Sequence, residues 1–139
     1  LIHTGQHYDE LMSGLMFEQL GLPLPNFNLG ICNTSHGNMV GLMMTKLEEI
    51  ILSQNVDAVL VFGDTNSTLA AALVSSKIDK LSLIHVEAGA RSYNRKMPEE
   101  INRIVCDHLS TILFSPTRTG YNNLIAEGFD SKKTDNFTA

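Results

Sequence analysis

Hydrophobic residues along this chain recur with two spacings, one typical of helices and one typical of strands. Residues 1–4 form a strand-like run, and apolar residues between 8 and 16 then recur at helical spacing until Gly21, followed by Pro23 and Pro25, ends the helix. A short polar segment follows. The clearest predicted helix covers residues 38–54. Its apolar face consists of Val40, Met43, Met44, Leu47, Ile50 and Ile51.

The second half of the chain alternates in the same way. Residues 57–62 and 81–86 are apolar runs typical of strands buried on both faces of a parallel sheet. The alanine-rich segment 65–78 between them reads as a crossover helix, with Asp64 or Thr65 as its N-cap. Pro98 and two glutamates predict the start of a further helix. The apolar side of that helix carries Ile101, Ile104, Val105 and His108.

The chain ends in one more pair of elements. Residues 112–114 form a short predicted strand, and Thr117 can cap a last helix that Gly128 ends. Strands and helices therefore alternate throughout, which predicts an α/β fold with a doubly wound parallel sheet. We assign residues 1–130 to this domain and 131–139 to a polar tail. Because the chain opens at Leu1 inside a strand, without an initiator methionine, we expect an upstream segment to be missing.

Composition narrows the class of protein. A chain of 139 residues with 43% hydrophobic and 18% charged residues can bury a core, and its net charge of -5 disfavours nucleic acid and anionic membranes as partners. No apolar run approaches the roughly 20 residues of a membrane span. Cys32 and Cys106 lie far apart and outside any zinc-ligand pattern. They indicate buried thiols of a protein in the reducing cytoplasm.

Carboxylates follow the predicted strands. Asp64 comes directly after the strand at 57–62 and Gly63, and Glu87 ends the strand at 81–86. Ligands of open parallel sheets bind beyond the carboxyl ends of the strands, so both side chains are candidates for one site. Glu99 is near enough in sequence to join them. Clustered carboxylates raise one another's pKa, which suits groups that exchange protons near neutral pH.

Simpler roles remain open for two of these residues. The alternative role of Asp64 is to cap the helix that follows. The alternative role of Glu99 is a favourable interaction with the dipole of its helix, which stabilises the helix by about 0.3–1 kcal/mol. Glu87 has no such alternative, because a turn and not a helix follows it. Arg91 is a candidate cation for a ligand, or an ordinary surface arginine.

Other common sites find little support. The chain has five histidines but no HExxH or HxH pattern, so we expect no metal site, and His85 and His108 read as satisfied core or edge residues. Neither a GxGxxG nor a GxxxxGK[ST] loop is present, which removes the main support for a dinucleotide or P-loop site.

Four motifs in order carry a family resemblance. They are Thr4-Gly5-Gln6-His7, Gly63-Asp64-Thr65, His85-Val86-Glu87-Ala88-Gly89 with Arg91, and Met97-Pro98-Glu99-Glu100-Ile101-Asn102-Arg103 through Asp107-His108. Together they resemble the non-hydrolysing UDP-N-acetylglucosamine 2-epimerases across nearly the whole chain. The resemblance implies a Rossmann-like domain, similar to the N-terminal half of a two-domain GT-B-like enzyme. The second, nucleotide-binding domain has no counterpart in this chain.

The resemblance also implies a chemistry. Family members interconvert UDP-GlcNAc and UDP-ManNAc without a cofactor or metal, by eliminating UDP to a glycal and adding it back. Their acidic catalytic positions correspond to Asp64, Glu87 and Glu99. We assign proton transfer to Asp64 and Glu99, and orientation of the sugar ring to Glu87. The substrate-binding positions are Gln6, His7, Arg91 and Arg103.

The resemblance covers one half of the family's architecture. The family's opening strand, its basic loop and its second domain, which carries a catalytic histidine, have no counterpart here, so we expect little turnover from the chain alone. We expect a UDP-sugar as partner, neither nucleic acid nor membrane, and a homodimer. Alternatives are a hydrolysing relative, an epimerase of a UDP-diacetamido-uronic acid, and a non-catalytic binding or assembly module that pairs through exposed sheet edges.

Overall fold

A computed structural model of the protein describes residues 1–6 and 19–129. The helix predicted from residues 8–16, His7 and the tail at 131–139 lie outside the described residues. The strands are β1 (Ile2–His3), β2 (Phe27–Asn28), β3 (Ala58–Phe62), β4 (Ser82–Val86) and β5 (Ile112–Phe114). The helices are α1 (His36–Gln54), α2 (Asn66–Ser75), α3 (Pro98–Leu109) and α4 (Arg118–Ala126).

All strand pairs of the described residues are parallel. β1 pairs with β2, and β3, β4 and β5 form a separate sheet in that order. Parallel neighbours need a crossover, and α2 and α3 supply the crossovers from β3 to β4 and from β4 to β5. The α/β class is therefore confirmed. Strand β2 falls in the short polar segment, where no strand was predicted because two residues are too few to show an alternating pattern.

The core forms where α1 and α2 pack beside the sheet. Met39, Met43, Leu47 and Ile51 of α1 are buried and recur every fourth residue, so they lie on one stripe of the helix. They share a core cluster with the alanines of α2 and with Val61 of β3. The predicted helix at 38–54 is confirmed, and it begins two residues earlier than its pattern suggested.

The structure decides whether Asp64 or Thr65 is the N-cap of α2. The Thr65 side chain accepts a hydrogen bond from the Thr68 amide at 3.5 Å, and the Thr68 hydroxyl donates to the Phe62 carbonyl at 2.9 Å. Thr65 is thus the cap. Asp64 is left free of that structural role, and its side chain is available for other contacts.

Two predictions about burial are wrong. Strand β3 is not buried on both faces, because Leu60 is 61% exposed and Phe62 67% exposed, whereas Val61 between them is buried. Within residues 1–6 and 19–129, β3 pairs with β4 alone, and a cleft of about 810 Å³ lies between its other side and β1. Helix α3 buries mainly polar residues, whereas its predicted apolar side is at most partly buried. On that side Ile101 is 40% exposed, His108 is exposed, and Ile104 and Val105 are half-buried.

Candidate active site

Two turns at the carboxyl ends of β3 and β4 form the centre of the site. Phe62 pairs with Val86, and the Gly63 amide donates to the Val86 carbonyl at 3.1 Å, so the two strands end side by side. A Cβ atom at Gly63 would lie 3.5 Å from Oε2 of Glu87. The Glu87 carboxylate therefore sits against the turn that leads into Asp64, and both acids occupy one rim of the sheet.

Two residues of helix α3 hold Asp64 in place. Arg103 Nη1 donates to Asp64 Oδ2 at 2.7 Å, and Asn102 Nδ2 donates to the Asp64 backbone carbonyl at 2.9 Å. The Asp64 side chain keeps 33% of its surface exposed. It is thus fixed by a cation on one oxygen while it remains open to a ligand.

Glu99 lies in the first turn of the same helix. Residues three and four positions apart share a helix face, so Glu99 lies on the face that carries Asn102 and Arg103. These two residues contact Asp64. The structure therefore brings the third predicted acid to the same end of the sheet, on an exposed position. The chemical roles of Asp64, Glu87 and Glu99 stay predictions.

Glu100 is a site residue that sequence reasoning missed. It is 1% exposed, and its carboxylate accepts from the Ser92 amide at 2.9 Å, the Ser92 hydroxyl at 3.0 Å and the Tyr93 amide at 2.8 Å. Arg103 Nη2 lies 3.2 Å from the same carboxylate. Burial opposes the charge, but the donors from Ser92 and Tyr93 and the Arg103 guanidinium hold the pKa of Glu100 below its ordinary value.

Arg103 therefore bridges a buried acid and an open one. Its guanidinium contacts Glu100 on one side and Asp64 on the other. An arginine with two fixed partners has little freedom, so the Asp64 carboxylate has a defined place. The assignment of Arg103 to substrate binding stays a prediction, and in the structure its observed partners are these two acids.

Arg91 lies in a buried network. Its side chain is 1% exposed, Nη1 lies 2.7 Å from Asp107 Oδ2, and Nη2 lies 2.6 Å from Glu127 Oε2. Burial opposes its charge, but the hydrogen bonds and charges of Glu127 and Asp107 raise the pKa of Arg91 above its ordinary value. The structure does not bring the Arg91 guanidinium to the rim of carboxylates, and its role as a substrate ligand stays a prediction.

Gln6 connects the loop after β1 to helix α2. Its Oε1 accepts from the amide and the hydroxyl of Ser67, each at 3.1 Å, and the Thr4 and Ser67 hydroxyls lie 2.6 Å apart. Ser67 is the second residue of α2, close in the chain to Asp64. Gln6 is thus placed near the acids, while His7 lies outside the described residues and its role stays a prediction.

Two further features bear on the chemistry. In the described part of the chain, no group of three or more His, Cys, Asp or Glu side chains is arranged to hold a metal ion. Burial, with the charges of Asp107 and Asp64, raises the pKa of the Cys106 thiol to about 12, so this thiol is a poor nucleophile.

The cleft between β1 and β3 is separate from the acids. Thr65, Ser67 and Thr68 line it, but none of the three candidate acids does. The acids lie on an open rim. The rim is the better candidate for chemistry, since it gathers the ionisable groups, and a second surface would be needed to enclose a ligand there.

Comparison with known proteins decides the family. Residues 1–136 match the family model described as UDP-N-acetylglucosamine 2-epimerase. The chain belongs to this family. It is 55% identical over 131 residues to a UDP-N-acetylglucosamine 2-epimerase homolog of Methanococcus maripaludis, a match that covers 94% of the chain and 36% of the relative. It is 52% identical over 132 residues to the UDP-2,3-diacetamido-2,3-dideoxy-D-glucuronate 2-epimerase of Pseudomonas aeruginosa, covering 95% and 37%.

A solved structure supports the same family and fold. The crystal structure of Methanocaldococcus jannaschii UDP-GlcNAc 2-epimerase in complex with UDP-GlcNAc and UDP matches with a TM-score of 0.93 and 49% identity, over 99% of this chain and 37% of that one. The predicted likeness to the N-terminal half of a GT-B-like epimerase is confirmed. The chain thus spans somewhat more than a third of the length of these relatives. Among its described residues, no helix is long and apolar enough to cross a membrane.

Proposed function

We propose that this chain is the sugar-facing, N-terminal domain portion of a cofactor-independent UDP-GlcNAc 2-epimerase, an isomerase that interconverts UDP-GlcNAc and UDP-ManNAc. The observation that carries the proposal is the meeting of Asp64 and Glu87 on adjacent turns, with Glu99 on the helix face that holds Asp64. Membership in the epimerase family supports the same reaction.

The reaction requires two groups that handle protons. Loss of the C2 proton and of UDP from C1 forms the C1–C2 double bond of a glycal, and the electron pair of the C1–O bond leaves with UDP. A proton then returns to C2 on the opposite face, and the C1–O bond forms again. Asp64 and Glu99 approach from different elements, a strand turn and a helix, which suits removal and return on opposite faces.

The third acid and the basic residues have supporting roles in this proposal. Glu87 orients the sugar ring and stabilises positive charge that develops at C1. The Arg103 guanidinium keeps the Asp64 carboxylate in place. Gln6, His7, Arg91 and Arg103 are the proposed contacts of the substrate, and we expect the pyrophosphate to be neutralised largely by groups outside this acidic chain.

The cellular setting is also part of the proposal. Cys32 and Cys106 are both free thiols, which supports a reducing compartment and hence the cytoplasm. We infer a homodimer that supplies UDP-ManNAc for cell-surface polysaccharide, with residues 1–130 as its N-terminal domain and 131–139 as a polar extension.

The test uses two forms of the protein, because the chain spans little more than a third of its relatives. One form is the chain itself, and the other is a fusion in which the chain replaces the matching segment of the M. jannaschii epimerase. We expect the fusion to form UDP-ManNAc from UDP-GlcNAc and to incorporate deuterium at C2 in D2O. Retention of the original C2 proton in the product would refute the proposed mechanism.

Substitutions of the candidate acids test whether their carboxylates carry the reaction. Asp64→Asn and Glu99→Gln should each lower kcat of the fusion by about 100-fold or more, since each removes a proton-transfer group. Glu49→Gln is the matched control, because Glu49 is a carboxylate on the exposed face of α1 and its side chain is 62% exposed. Equal effects of all three substitutions would contradict the assignment.

The sugar substrate needs its own measurement. The identities to the M. maripaludis homolog and to the P. aeruginosa glucuronate epimerase are 55% and 52%, too close to choose a substrate. Comparing kcat/KM of the fusion for UDP-GlcNAc and for the UDP-diacetamido-glucuronate decides between them. Release of UDP with free N-acetylmannosamine would instead identify a hydrolysing enzyme.

A non-catalytic assembly module is the second candidate. The exposed side chains of Leu60 and Phe62 on β3 favour it, because within residues 1–6 and 19–129 this apolar strand pairs with β4 alone, and its other edge can pair with another copy. Association of the chain without any turnover by the fusion would support this reading over the first.

A further inference from the structure

We propose that Asp107 and His85 are positioning residues that together fix the two turns carrying Asp64 and Glu87. This inference rests on the proposed function, because it concerns the same carboxylates. Neither residue reaches the rim, since both side chains are fully buried, so they act through the backbone.

Asp107 holds the turn after β4. It lies near the end of helix α3, and its Oδ2 accepts from the Gly89 amide at 3.1 Å. Gly89 follows Glu87 by two residues and has a φ of 81°, while Glu87 itself has a φ of 80°. The hydrogen bond thus anchors the far side of a turn whose first residue is in a conformation that side chains seldom adopt.

His85 extends the same anchor to the turn after β3. Its Nδ1 lies 2.7 Å from Asp107 Oδ1, and its Nε2 donates to the Gly63 carbonyl at 2.9 Å. Gly63 immediately precedes Asp64. One carboxylate on α3 therefore reaches both turns, one directly and one through the imidazole.

The charges of this network balance. The Gly63 carbonyl can only accept, so Nε2 carries a hydrogen, and a second hydrogen lies between Nδ1 and Asp107. Whichever of the two atoms holds it, the His85–Asp107 pair is neutral as a unit. Arg91 and Glu127 add one charge of each sign. Because the side chains of His85, Asp107 and Arg91 are buried and each has its partners, the set is rigid, which suits a role in fixing the backbone.

The proposal predicts different effects for two substitutions of the same residue. In His85→Gln, the amide nitrogen falls near the position of Nε2, so the Gly63 contact is kept and the Asp107 contact is lost. In His85→Asn, the amide falls near Nδ1, so the Asp107 contact is kept and the Gly63 contact is lost. A role that depends only on filling the space also favours Gln, because Asn is the smaller residue, so the decisive readout is the local signal of the Asp64 amide.

The first measurement uses nitrogen-15 NMR spectra of the 139-residue chain. The Asp64 amide belongs to the same peptide group as the Gly63 carbonyl, so its nitrogen shift reports the His85 contact. We expect this signal to move in His85→Asn and to stay near its wild-type position in His85→Gln. Asp107→Ala should move it as well and should speed hydrogen exchange of the Gly89 amide by about tenfold or more.

His108→Gln is the control, because His108 neighbours Asp107 on α3 but is exposed, donates to the Ile104 carbonyl within its own helix and contacts the Phe129 ring at the surface. It should leave both signals unchanged. If Asp107→Ala does not fold, the two His85 variants decide the test, because the amide of Asp107→Asn can keep both contacts. An Asp64 signal that stays in place in His85→Asn overturns the proposal.

The second measurement is activity of the fusion. We expect His85→Asn to lower kcat by about 100-fold with KM changed little, because a misplaced group costs rate more than binding. His85→Gln should retain most of kcat. Equal losses in both variants overturn the positioning role. An inactive wild-type fusion counts against the proposed function instead, and the NMR result then judges the positioning alone.

Discussion

Among single residues, Glu87 shows most clearly that a candidate site residue is present at a cost to local stability. Its φ of 80° lies in the left-handed region, where a side chain costs about 1–2 kcal/mol. Asparagine or glycine would tolerate this conformation better. A glutamate that is both exposed and strained suggests selection for its carboxylate, since the turn alone would favour glycine.

This strain gives a prediction that needs no substrate. Glu87→Gly and Glu87→Ala both delete the carboxylate, but only glycine relieves the backbone. We expect the glycine variant to be more stable than the alanine variant by about 1 kcal/mol, measured by urea unfolding of the chain. An alanine variant as stable as the glycine variant would mean that the turn relaxes out of the left-handed region.

The candidate acids could be predicted from sequence, whereas their partners could not. Asp64 and Glu87 follow apolar runs, and in a parallel sheet that position alone places them at the ligand edge. Glu100 and Asp107 look like ordinary polar residues of an amphipathic helix. Their burial depends on hydrogen-bond partners in distant segments, such as Ser92 and His85. No local sequence pattern predicts such pairings.

At the scale of elements, α3 is the helix that organises the site. Its buried residues include Glu100, Asn102, Cys106 and Asp107, so the side facing the protein is mostly polar. The apolar periodicity of Ile101 and its neighbours predicted the opposite side. That expectation failed because burial is costly only for polar groups that lack partners. Here each buried acid is hydrogen-bonded or ion-paired.

The turn after β4 also depends on α4. A Cβ atom at Gly89 would lie 2.2 Å from the Gly120 carbonyl oxygen, and Asn123 Nδ2 donates to the Gly89 carbonyl at 2.9 Å. Strand end and helix thus meet backbone to backbone. The close approach explains why glycine occupies this position, independently of its positive φ.

A pair of glycine substitutions separates these two reasons. Gly128 also has a positive φ, 91°, but an added Cβ would meet nothing within 4 Å. We expect Gly128→Ala to cost about 1 kcal/mol and Gly89→Ala about 3 kcal/mol or more, because the second adds a backbone clash to the strain. Thermal unfolding of the two variants measures the difference. Similar costs would show that α4 shifts away without penalty.

At the scale of the whole molecule, the described sheet is in two parts. The parallel strands β3, β4 and β5 and their crossover helices were predicted from the alternation of apolar runs, whereas their order in the sheet is a finding of the structure. The separation of β1 and β2 from β3 did not follow, since strand order depends on contacts between distant segments. The error about β3 has the same origin: its sequence is that of a strand covered on both faces, and its neighbours here leave Leu60 and Phe62 exposed.

That mismatch between the sequence of β3 and its surroundings leads to a prediction about association. An exposed apolar strand with a free edge is a template for pairing, so we expect the chain to self-associate as its concentration rises, measured by sedimentation velocity. Leu60→Lys should reduce this association, because an inserted charge opposes edge pairing. Leu52→Lys is the matched control, since Leu52 is 62% exposed on helix α1 and Leu60 61% exposed on the strand. Equal effects of the two lysines would point to general hydrophobic attraction, and a chain that stays monomeric at every concentration would show that the β3 edge does not drive assembly.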